Sequence, residues 1–547
     1  MRFRAASGRG KPVVVTTLAL SVVLVATGCG SRESGPALAE VPQAVTQTTT
    51  GPDTGAASTG PVTASTPDAG AAAVPGTSTA PGASVPVGGT AAAKPAAAGG
   101  PASAVGASTT AVSPVKQAGT TPTGGGINVA GPDSQGVTDQ TIKLGVIAPL
   151  SGAAGFLGEA EVAAVRAYTS LVNAQGGIRG RTYTTVIADS QFEPAVEAQA
   201  ARKLVDQDKV FALFSVLGDS TGPYVTAKGI PTMAFGLLPP AFSSKYTTTH
   251  VFGLSTMDSV VRMAYWAKVL QKKPINSVAI LYDTTNMNLG PWAKYLKLGW
   301  EAAGVQVKSM DPFNVSDGDC TSIVLKLQSL KVDFWQAGQS LAWPACAAAM
   351  GRQGWKPSQG FGGPYTSDNK YITQGGAAGM DGVFGQNTGV QIVQSFGQPY
   401  PYDKNKNDVA PQAQAYVDSM KRYSPGDADT DTLESTWAQS FWVATQIITK
   451  AIGAQTGSIT WSGVNQWIDG QKRYESGLIA PIDFDPTCKS GAAPWVYQWK
   501  FNSAKNVFEQ TPWRNYGGPF TMPDSFLNKI VPGTGQCYLT KAADNEL

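Results

Sequence analysis

Residues 141–150, TIKLGVIAPL, form an apolar run that ends at a proline and is short enough to be a buried strand. A helical pattern follows at residues 158–174, where Val162, Val165 and Leu171 or Val172 fall on one face. Strand and helix patterns alternate up to residue 236, and a second alternation runs from residue 257 to residue 386. This alternation is typical of a doubly wound parallel α/β sheet, and its repetition predicts two similar lobes.

Length and composition exclude several classes of protein. The chain has 547 residues, 42% of them hydrophobic and 14% charged, with a formal net charge of +3. The length favours more than one domain, and the absence of a long block of like charge argues against nucleic acid as a partner. A single histidine and the lack of a C-x-x-C motif argue against a zinc site, so we expect no metal and no cofactor.

The N-terminus has the pattern of an export signal. Basic residues precede an apolar stretch at residues 13–26, which is short for a membrane span and typical of a signal peptide. The following residues 26–29, ATGC, resemble a bacterial lipobox, although Ala26 departs from the usual leucine. We therefore expect residues 1–28 to be a lipoprotein signal peptide and Cys29 to anchor the exported protein to the outer face of the cytoplasmic membrane. The alternative is a plain secretory signal, which mass spectrometry of the mature N-terminus would distinguish.

The segment after Cys29 is predicted to be a disordered tether. Residues 31–136 are almost entirely Ala, Gly, Pro, Ser, Thr and Val, which leaves too few large apolar groups to offset the entropy of ordering. A flexible linker over residues 29–136 would have an r.m.s. reach of roughly 50–60 Å. It would serve either as a stalk through the envelope or as a plain spacer.

Four further cysteines suggest disulfides, because an even number is expected in an exported protein. Cys320, Cys346, Cys488 and Cys537 allow three pairings. Cys320 and Cys346 begin successive predicted helices, and such helices are often neighbours on a parallel sheet. We therefore favour Cys320–Cys346, which leaves Cys488–Cys537.

The motif GDSTG at residues 218–222 matches the G-x-S-x-G elbow of serine hydrolases, with Ser220 as the nucleophile. In that class an acid and then a histidine follow the serine, but no Asp or Glu stands between Thr221 and the only histidine, His250. A binding role fits better, because Gly218 permits close approach of a ligand and Ser220 and Thr221 supply hydroxyl groups beside a helix N-terminus. We expect no enzyme activity; a helix cap is the structural alternative for Ser220.

Several segments resemble one family. The chain is similar to the extracytoplasmic solute-binding proteins of ABC transporters with the type I periplasmic-binding fold, and to their branched-chain amino-acid/amide (leucine-binding-protein-like) subgroup. The resemblance lies in the order and spacing of segments across residues 140–502: IKLGVIAPLSG at 142–152, NAQGGIRGR at 173–181, ARKLVDQDKV at 201–210, VAILYD at 278–283, and IAPIDFDP with WVYQWKF at 479–501.

The resemblance implies two lobes joined by three crossover segments, near residues 250–255, 386–391 and 479–485. Lobe one would comprise residues 141–254 and 389–480, and lobe two residues 255–388 and 481–547. The lobes would close on a small solute, and the closed form would dock on a permease that a separate ATPase drives. The chain carries no Walker A motif of its own. A ligand sensor or an envelope scaffold with the same fold is the alternative.

Ligands of open α/β sheets bind outside the carboxyl ends of the strands. The candidate ligand-binding residues are therefore Ser151, Phe156, Leu157, Gly218, Ser220, Thr221, Phe235, Gly236, Leu237, Asp283, Gln339 and Tyr365. Asp189 and Asp283 end strands, and a loop or cap role is the alternative for each. His250 is assigned to a crossover segment.

The resemblance also bears on the ligand. Amino-acid binders of the family hold the ligand ammonium with an acid on a lobe-two loop, where this chain has Tyr365; Asp368 or Asp283 would have to replace it. They carry small residues and a threonine after the fourth strand, where this chain has Phe235, Gly236 and Leu237. We therefore expect a small neutral or acidic organic solute and not a plain branched-chain amino acid. Further aromatic residues, Phe156, Trp343 and Trp355, would pack either on the solute or in the core.

Overall fold

The computed structural model describes residues 132–152, 154–236, 246–253, 261–284, 292–338, 341, 343–362, 369–389, 412–484, 491–492, 495–510 and 522–530. The expected signal peptide, Cys29 and the tether up to residue 131 lie outside the described residues, as do the site candidates Leu237, Gln339 and Tyr365. Within the described ranges, every helix is too short or too polar to cross a membrane.

The first sheet has five parallel strands in the order β2-β1-β3-β4-β5. Its central strands are continuous apolar runs because both faces are covered, as the adjacent residues Val146 and Ile147 in β1 illustrate with at most 1% exposure. The strands are β1 (Thr141–Ala148), β2 (Thr182–Asp189), β3 (Ala212–Leu217), β4 (Thr232–Gly236) and β5 (Thr249–Val251). The predicted alternation of strands and helices over this region is confirmed.

Three helices connect these strands: α1 (Gly155–Ala174), α2 (Pro194–Arg202) and α3 (Gly218–Lys228). Pro194 stands in the first turn of α2, where its missing N–H leaves no hydrogen bond unmade, and a π-helical turn at Lys203–Gln207 continues this helix. The apolar stripe of α1 is buried at Val162, Val165 and Val172.

The second sheet has seven strands in the order β14-β13-β10-β9-β8-β6-β7. Five of them are mutually parallel, whereas β13 runs antiparallel to both β10 and β14. The sheet is therefore mixed at the edge formed by the C-terminal part of the chain. Its strands are β6 (Ser277–Asp283), β7 (Gln306–Phe313), β8 (Phe334–Gly338), β9 (Gln359–Gly362), β10 (Phe384–Asn387), β13 (Trp495–Asn502) and β14 (Val507–Gln510).

The helices of the second half are α4 (Trp292–Ala302), α5 (Thr321–Leu330), α6 (Trp343–Arg352), α7 (Asn369–Gln374), α8 (Gly376–Met380) and α13 (Asp524–Ile530). A π-helical turn at Tyr265–Leu270 precedes β6. Cys320, at the start of α5, forms a disulfide with Cys346 of α6, with the two Cα atoms 4.8 Å apart. This is the pairing that the sequence favoured; Cys488 and Cys537 lie outside the described residues.

The chain then returns to the first sheet through α9 (Ala413–Tyr423), α10 (Thr430–Glu434), α11 (Thr436–Gly453) and α12 (Trp461–Asp469). Both α9 and α11 pack against α1, and α11 also contacts β4. A small antiparallel pair, β11 (Ile482–Asp483) and β12 (Gly491–Ala492), follows. The backbone of Ala480 donates a hydrogen bond of 2.7 Å to the carbonyl of Thr388, so the segments after β10 and before β11 run side by side.

Candidate functional site

The first sheet brings three predicted segments together. Because β1, β3 and β4 are parallel neighbours, Ser151, Gly218 and Phe235, which stand at or just beyond the strand ends, lie at one edge of the sheet. Ligands of open α/β sheets generally bind at this place, outside the carboxyl ends of the strands.

The loop after β1 is held by Asp189 at the end of β2. Its carboxylate accepts hydrogen bonds from the Ser151 hydroxyl at 2.6 Å and from the backbone N–H groups of Leu150 and Gln191 at 2.9 and 2.8 Å. Partial burial acts to raise the pKa of Asp189, but these hydrogen bonds outweigh it and hold the pKa below its ordinary value. Asp189 therefore has the loop role; Ser151 is exposed, and its contact with a ligand stays a prediction.

The GDSTG segment is itself helical, which corrects the expectation that Ser220 and Thr221 lie beside a helix N-terminus; they stand within the first turn. Helix α3 begins at Gly218, directly after β3, and Pro223 is accommodated in its second turn. The Thr221 hydroxyl is buried and points back to the Gly218 carbonyl at 3.4 Å, whereas Ser220 is only half-buried. Of the two hydroxyl groups, Ser220 is thus the better placed for a ligand.

Tyr246 closes over the start of α3. A Cβ atom added at Gly222 would lie 2.5 Å from its ring, so only glycine fits there. Burial, together with the nearby carboxylate of Asp219, raises the pKa of Tyr246. Tyr246, which precedes β5, therefore brings a phenolic group near the carboxylate of Asp219 in the first turn of α3, a proximity that the motif alone does not reveal.

His250 contacts two polar side chains of α12. Its ring is fully buried, with Nε2 at 2.9 Å from Oδ1 of Asn465 and Nδ1 at 3.3 Å from Oδ1 of Asp469. Asn465 also donates a hydrogen bond to the carbonyl of Gly229. These contacts tie β5 to α12, in agreement with a structural role for His250 at the edge of the first sheet.

Phe235 ends β4 in an aromatic cluster. Its ring stacks on Trp437 with centroids 4.0 Å apart and lies edge-on to Phe252 at 5.9 Å, which leaves 5% of the residue exposed. Of the other candidates nearby, Gly236 and Leu157 are buried and Phe156 is partly buried. No local pattern pointed to Trp437, since it stands on a helix far along the chain.

At the second sheet, Asp283 ends β6 and is fully buried. Its carboxylate accepts a hydrogen bond of 2.6 Å from the backbone N–H of Leu341, which ties the end of β6 to the loop after β8. This is the loop role named as its alternative, and a contact with ligand stays a prediction. Trp343 is also fully buried and stacks on Trp335 with centroids 3.9 Å apart, so it belongs to the core.

Two buried carboxyl groups were missed by the sequence analysis. Glu161 on α1 is fully buried, and among the described residues neither of its carboxyl oxygens has a hydrogen-bond partner. Burial, with a smaller contribution from Glu197, raises its pKa well above the ordinary value. Glu197 accepts a hydrogen bond of 2.6 Å from Ser215 of β3. The signal was present, because Glu161 stands on the apolar stripe of α1 next to Val162.

The part of the chain that the structure describes contains no group of three or more His, Cys, Asp or Glu side chains that could hold a metal ion. The arrangement at the strand ends offers hydroxyl groups, a helix N-terminus and an aromatic ring, which are the elements of a non-covalent binding site.

The sequence has relatives among amino-acid-binding proteins. It is 25% identical over 211 residues to the leucine-, isoleucine-, valine-, threonine- and alanine-binding protein of Pseudomonas aeruginosa, which covers 38% of this chain and 56% of that protein. It is 26% identical over 207 residues to a Leu/Ile/Val-binding protein homolog of Brucella abortus, covering 37% and 55%. The match thus spans about half the length of these curated relatives.

Solved structures show the same fold. A branched-chain amino acid ABC transporter protein from Thermus thermophilus, with bound valine, has a TM-score of 0.59 at 17% identity, over 73% of this chain and 100% of that one. A fatty acid ABC transporter substrate-binding protein from Thermomonospora curvata gives 0.55 at 19%, over 70% and 95%. A solute-binding protein from R. palustris in complex with 4-hydroxybenzoate gives 0.55 at 16%, over 68% and 96%.

The Pseudomonas aeruginosa, Thermomonospora curvata and R. palustris proteins named above are binding proteins. The family model described as periplasmic binding protein matches residues 141–505, which takes in both sheets up to the last turn before β14. The chain therefore belongs to the periplasmic binding protein family.

Proposed function

We propose that this protein is the substrate-binding component of an ABC uptake transporter and captures a small organic solute between two closing lobes. The observation that carries the proposal is the family match over residues 141–505. A solute that bridges two lobes favours the closed state, because only that state makes both sets of contacts. The closed form would then dock on the permease, and the ATPase subunits would drive release.

The proposed lobes are those expected from the sequence: residues 141–254 with 389–480, and residues 255–388 with 481–547. The return of α9, α11 and α12 to the first sheet supports this division. The hydrogen bond between Ala480 and Thr388 supports paired crossover segments at the hinge.

We further propose that the solute is not a plain branched-chain amino acid. Phe235 holds a bulky ring at the end of β4, stacked in place on Trp437. Such a ring favours an apolar or planar group on the solute over the short polar contacts that an α-amino acid needs. The fold itself does not decide the class of solute, since the similar structures were solved with valine and with 4-hydroxybenzoate.

Native mass spectrometry of the protein purified from its own cells tests this function, and a retained small molecule is the expected result. A thermal-shift screen of amino acids, amides and aromatic acids then identifies the class of solute. Selective nanomolar binding of leucine or valine would overturn the assignment of the solute.

Ser220→Ala is expected to weaken binding of the retained solute by about 1–3 kcal/mol, because a buried ligand group would lose its hydrogen-bond partner. Isothermal titration calorimetry measures the change. Thr221→Val is the matched control, since the Thr221 hydroxyl points back to its own helix. Equal affinities for Ser220→Ala and the unmodified protein would show that the Ser220 hydroxyl does not bind the solute.

We propose that the protein is exported and anchored through a lipid on Cys29, with the tether predicted over residues 29–136 holding the body off the membrane. The last residues of that range are part of the body, because the Ser134 hydroxyl donates a buried hydrogen bond of 2.7 Å to the carbonyl of Ile459. Cys29→Ser is expected to move the protein from the membrane fraction to the soluble extracytoplasmic fraction. Fractionation measures this change, and mass spectrometry of the N-terminus shows whether the lipid is present. Membrane retention of the serine variant would contradict the anchor.

A further inference from the structure

Helix α11 places two aromatic side chains behind the end of β4. Trp437 and Phe441 are one turn apart, and their rings lie within 14° of parallel with centroids 6.0 Å apart. Phe235 stacks on Trp437 at 4.0 Å and lies within 14° of parallel to Phe441 at 6.3 Å. One face of the Phe235 ring is therefore set by α11, which packs directly against β4.

Other contacts hold the same ring from the side. Phe252 lies edge-on to Phe235 at 5.9 Å and edge-on to Phe441 at 4.9 Å. A Cβ atom added at Gly253 would lie 2.6 Å from the Phe235 ring, so the backbone after β5 touches the ring closely. The ring cannot retreat from the strand end unless the indole of Trp437 moves, because interiors are closely packed.

We propose that Trp437 sets the depth of the solute site at the first sheet, by standing behind Phe235 and keeping that ring at the end of β4. The inference rests on the proposed function, because it requires that the strand ends bind solute. A solute with a short or flat apolar end fits against the fixed ring, whereas a longer chain must displace both rings. Trp437 is a positioning residue, since it acts through Phe235.

Trp442 offers a matched control on the same helix. Trp437 and Trp442 are both 1% exposed, but Trp442 faces the other way: its ring packs edge-on to Tyr168 of α1 at 4.7 Å, and its Nε1 donates to the Ser419 hydroxyl. Trp437→Leu and Trp442→Leu should therefore cost similar stability, while only the first opens space behind Phe235. Trp437→Phe provides a milder variant if the leucine variant does not fold.

The measurement is the ratio of the Kd values for two probes, 4-hydroxybenzoate and 4-butoxybenzoate, by calorimetry. Trp437→Leu is expected to shift this ratio at least tenfold in favour of the longer probe, and Trp437→Phe to shift it less in the same direction. Trp442→Leu is expected to leave the ratio within twofold. A ratio that Trp437→Leu leaves unchanged, or that Trp442→Leu shifts as strongly, would overturn the inference.

A second measurement separates this inference from the proposed function. If the unmodified protein binds neither probe and retains no solute, the proposed function fails. The crystal structure of the Trp437→Leu variant then decides the positioning role by itself. Movement of the Phe235 ring into the space left by the indole is expected, and a ring that keeps its position overturns the inference.

Discussion

Replacement of both Cys320 and Cys346 by alanine is expected to lower the free energy of unfolding by about 3–4 kcal/mol. The two residues are 26 apart in sequence, so the disulfide removes the entropy of a loop of that length from the unfolded chain. Both side chains are buried, at 0% and 1% exposure, and alanine avoids placing two hydroxyl groups in the core. Urea unfolding under non-reducing conditions, followed by near-UV circular dichroism, measures the change.

The control for this experiment is the double variant Cys488→Ala/Cys537→Ala. It removes the remaining two cysteines of the body and leaves the bond between α5 and α6 intact. Reductant should lower the free energy of unfolding of this control by about 3–4 kcal/mol. The variant Cys320→Ala/Cys346→Ala lacks the bond, so reductant should not lower its stability in this way. An unchanged urea midpoint for the Cys320→Ala/Cys346→Ala variant would show that the bond does not contribute to stability.

Glu161→Gln is expected to stabilise the protein increasingly as the pH rises above the ordinary pKa of a glutamate. The pKa of Glu161 is raised in the folded state by burial and by Glu197, so between its unfolded and folded values the native state binds the extra proton. In that window the unmodified protein loses up to about 1.4 kcal/mol of stability per pH unit through this group. Glutamine carries no such titration.

The difference in free energy of unfolding between the Glu161→Gln variant and the unmodified protein should therefore be small at the acidic end of the window. It should grow as the pH rises and level off above the pKa of Glu161 in the folded state. Thermal unfolding at a series of pH values from acidic to neutral measures it. Glu159→Gln is the matched control, because Glu159 is exposed on the same turn of α1. Parallel stability profiles for the Glu161→Gln variant and the unmodified protein would show that Glu161 does not carry this linkage.

Most element types and the family could be predicted because they depend on local patterns. The apolar run of β1 and the apolar stripe of α1 are each visible within a few residues. The 3.6-residue period of a helix also differs clearly from the 2-residue period of a strand. Helix α12 was missed, since its nine residues carry only a short apolar pattern. The start of α3 was misplaced because Gly218 and Ser220 are read as turn residues, while the structure continues directly from β3 into the helix.

The candidate site was predicted less completely than the fold. The sequence indicated that Ser151 and Phe235 follow or end neighbouring strands, but it could not show that the Ser151 hydroxyl donates a hydrogen bond to Asp189. It also could not separate Trp343, which is core, from an aromatic residue at the cleft. Both distinctions depend on which side chains contact each other near the ends of the strands.

By itself, the sequence determined the α/β alternation and the two successive units, because periodicity and spacing are properties of neighbouring residues, and the resemblance of several segments identified the family. The resemblance already placed α11 with the first sheet, but only the tertiary structure decided that Trp437 stacks on Phe235, roughly 200 residues earlier in the chain. The burial of Glu161 without a hydrogen-bond partner among the described residues was decided in the same way. Contacts between distant segments depend on how faces pack, and no local pattern records that packing.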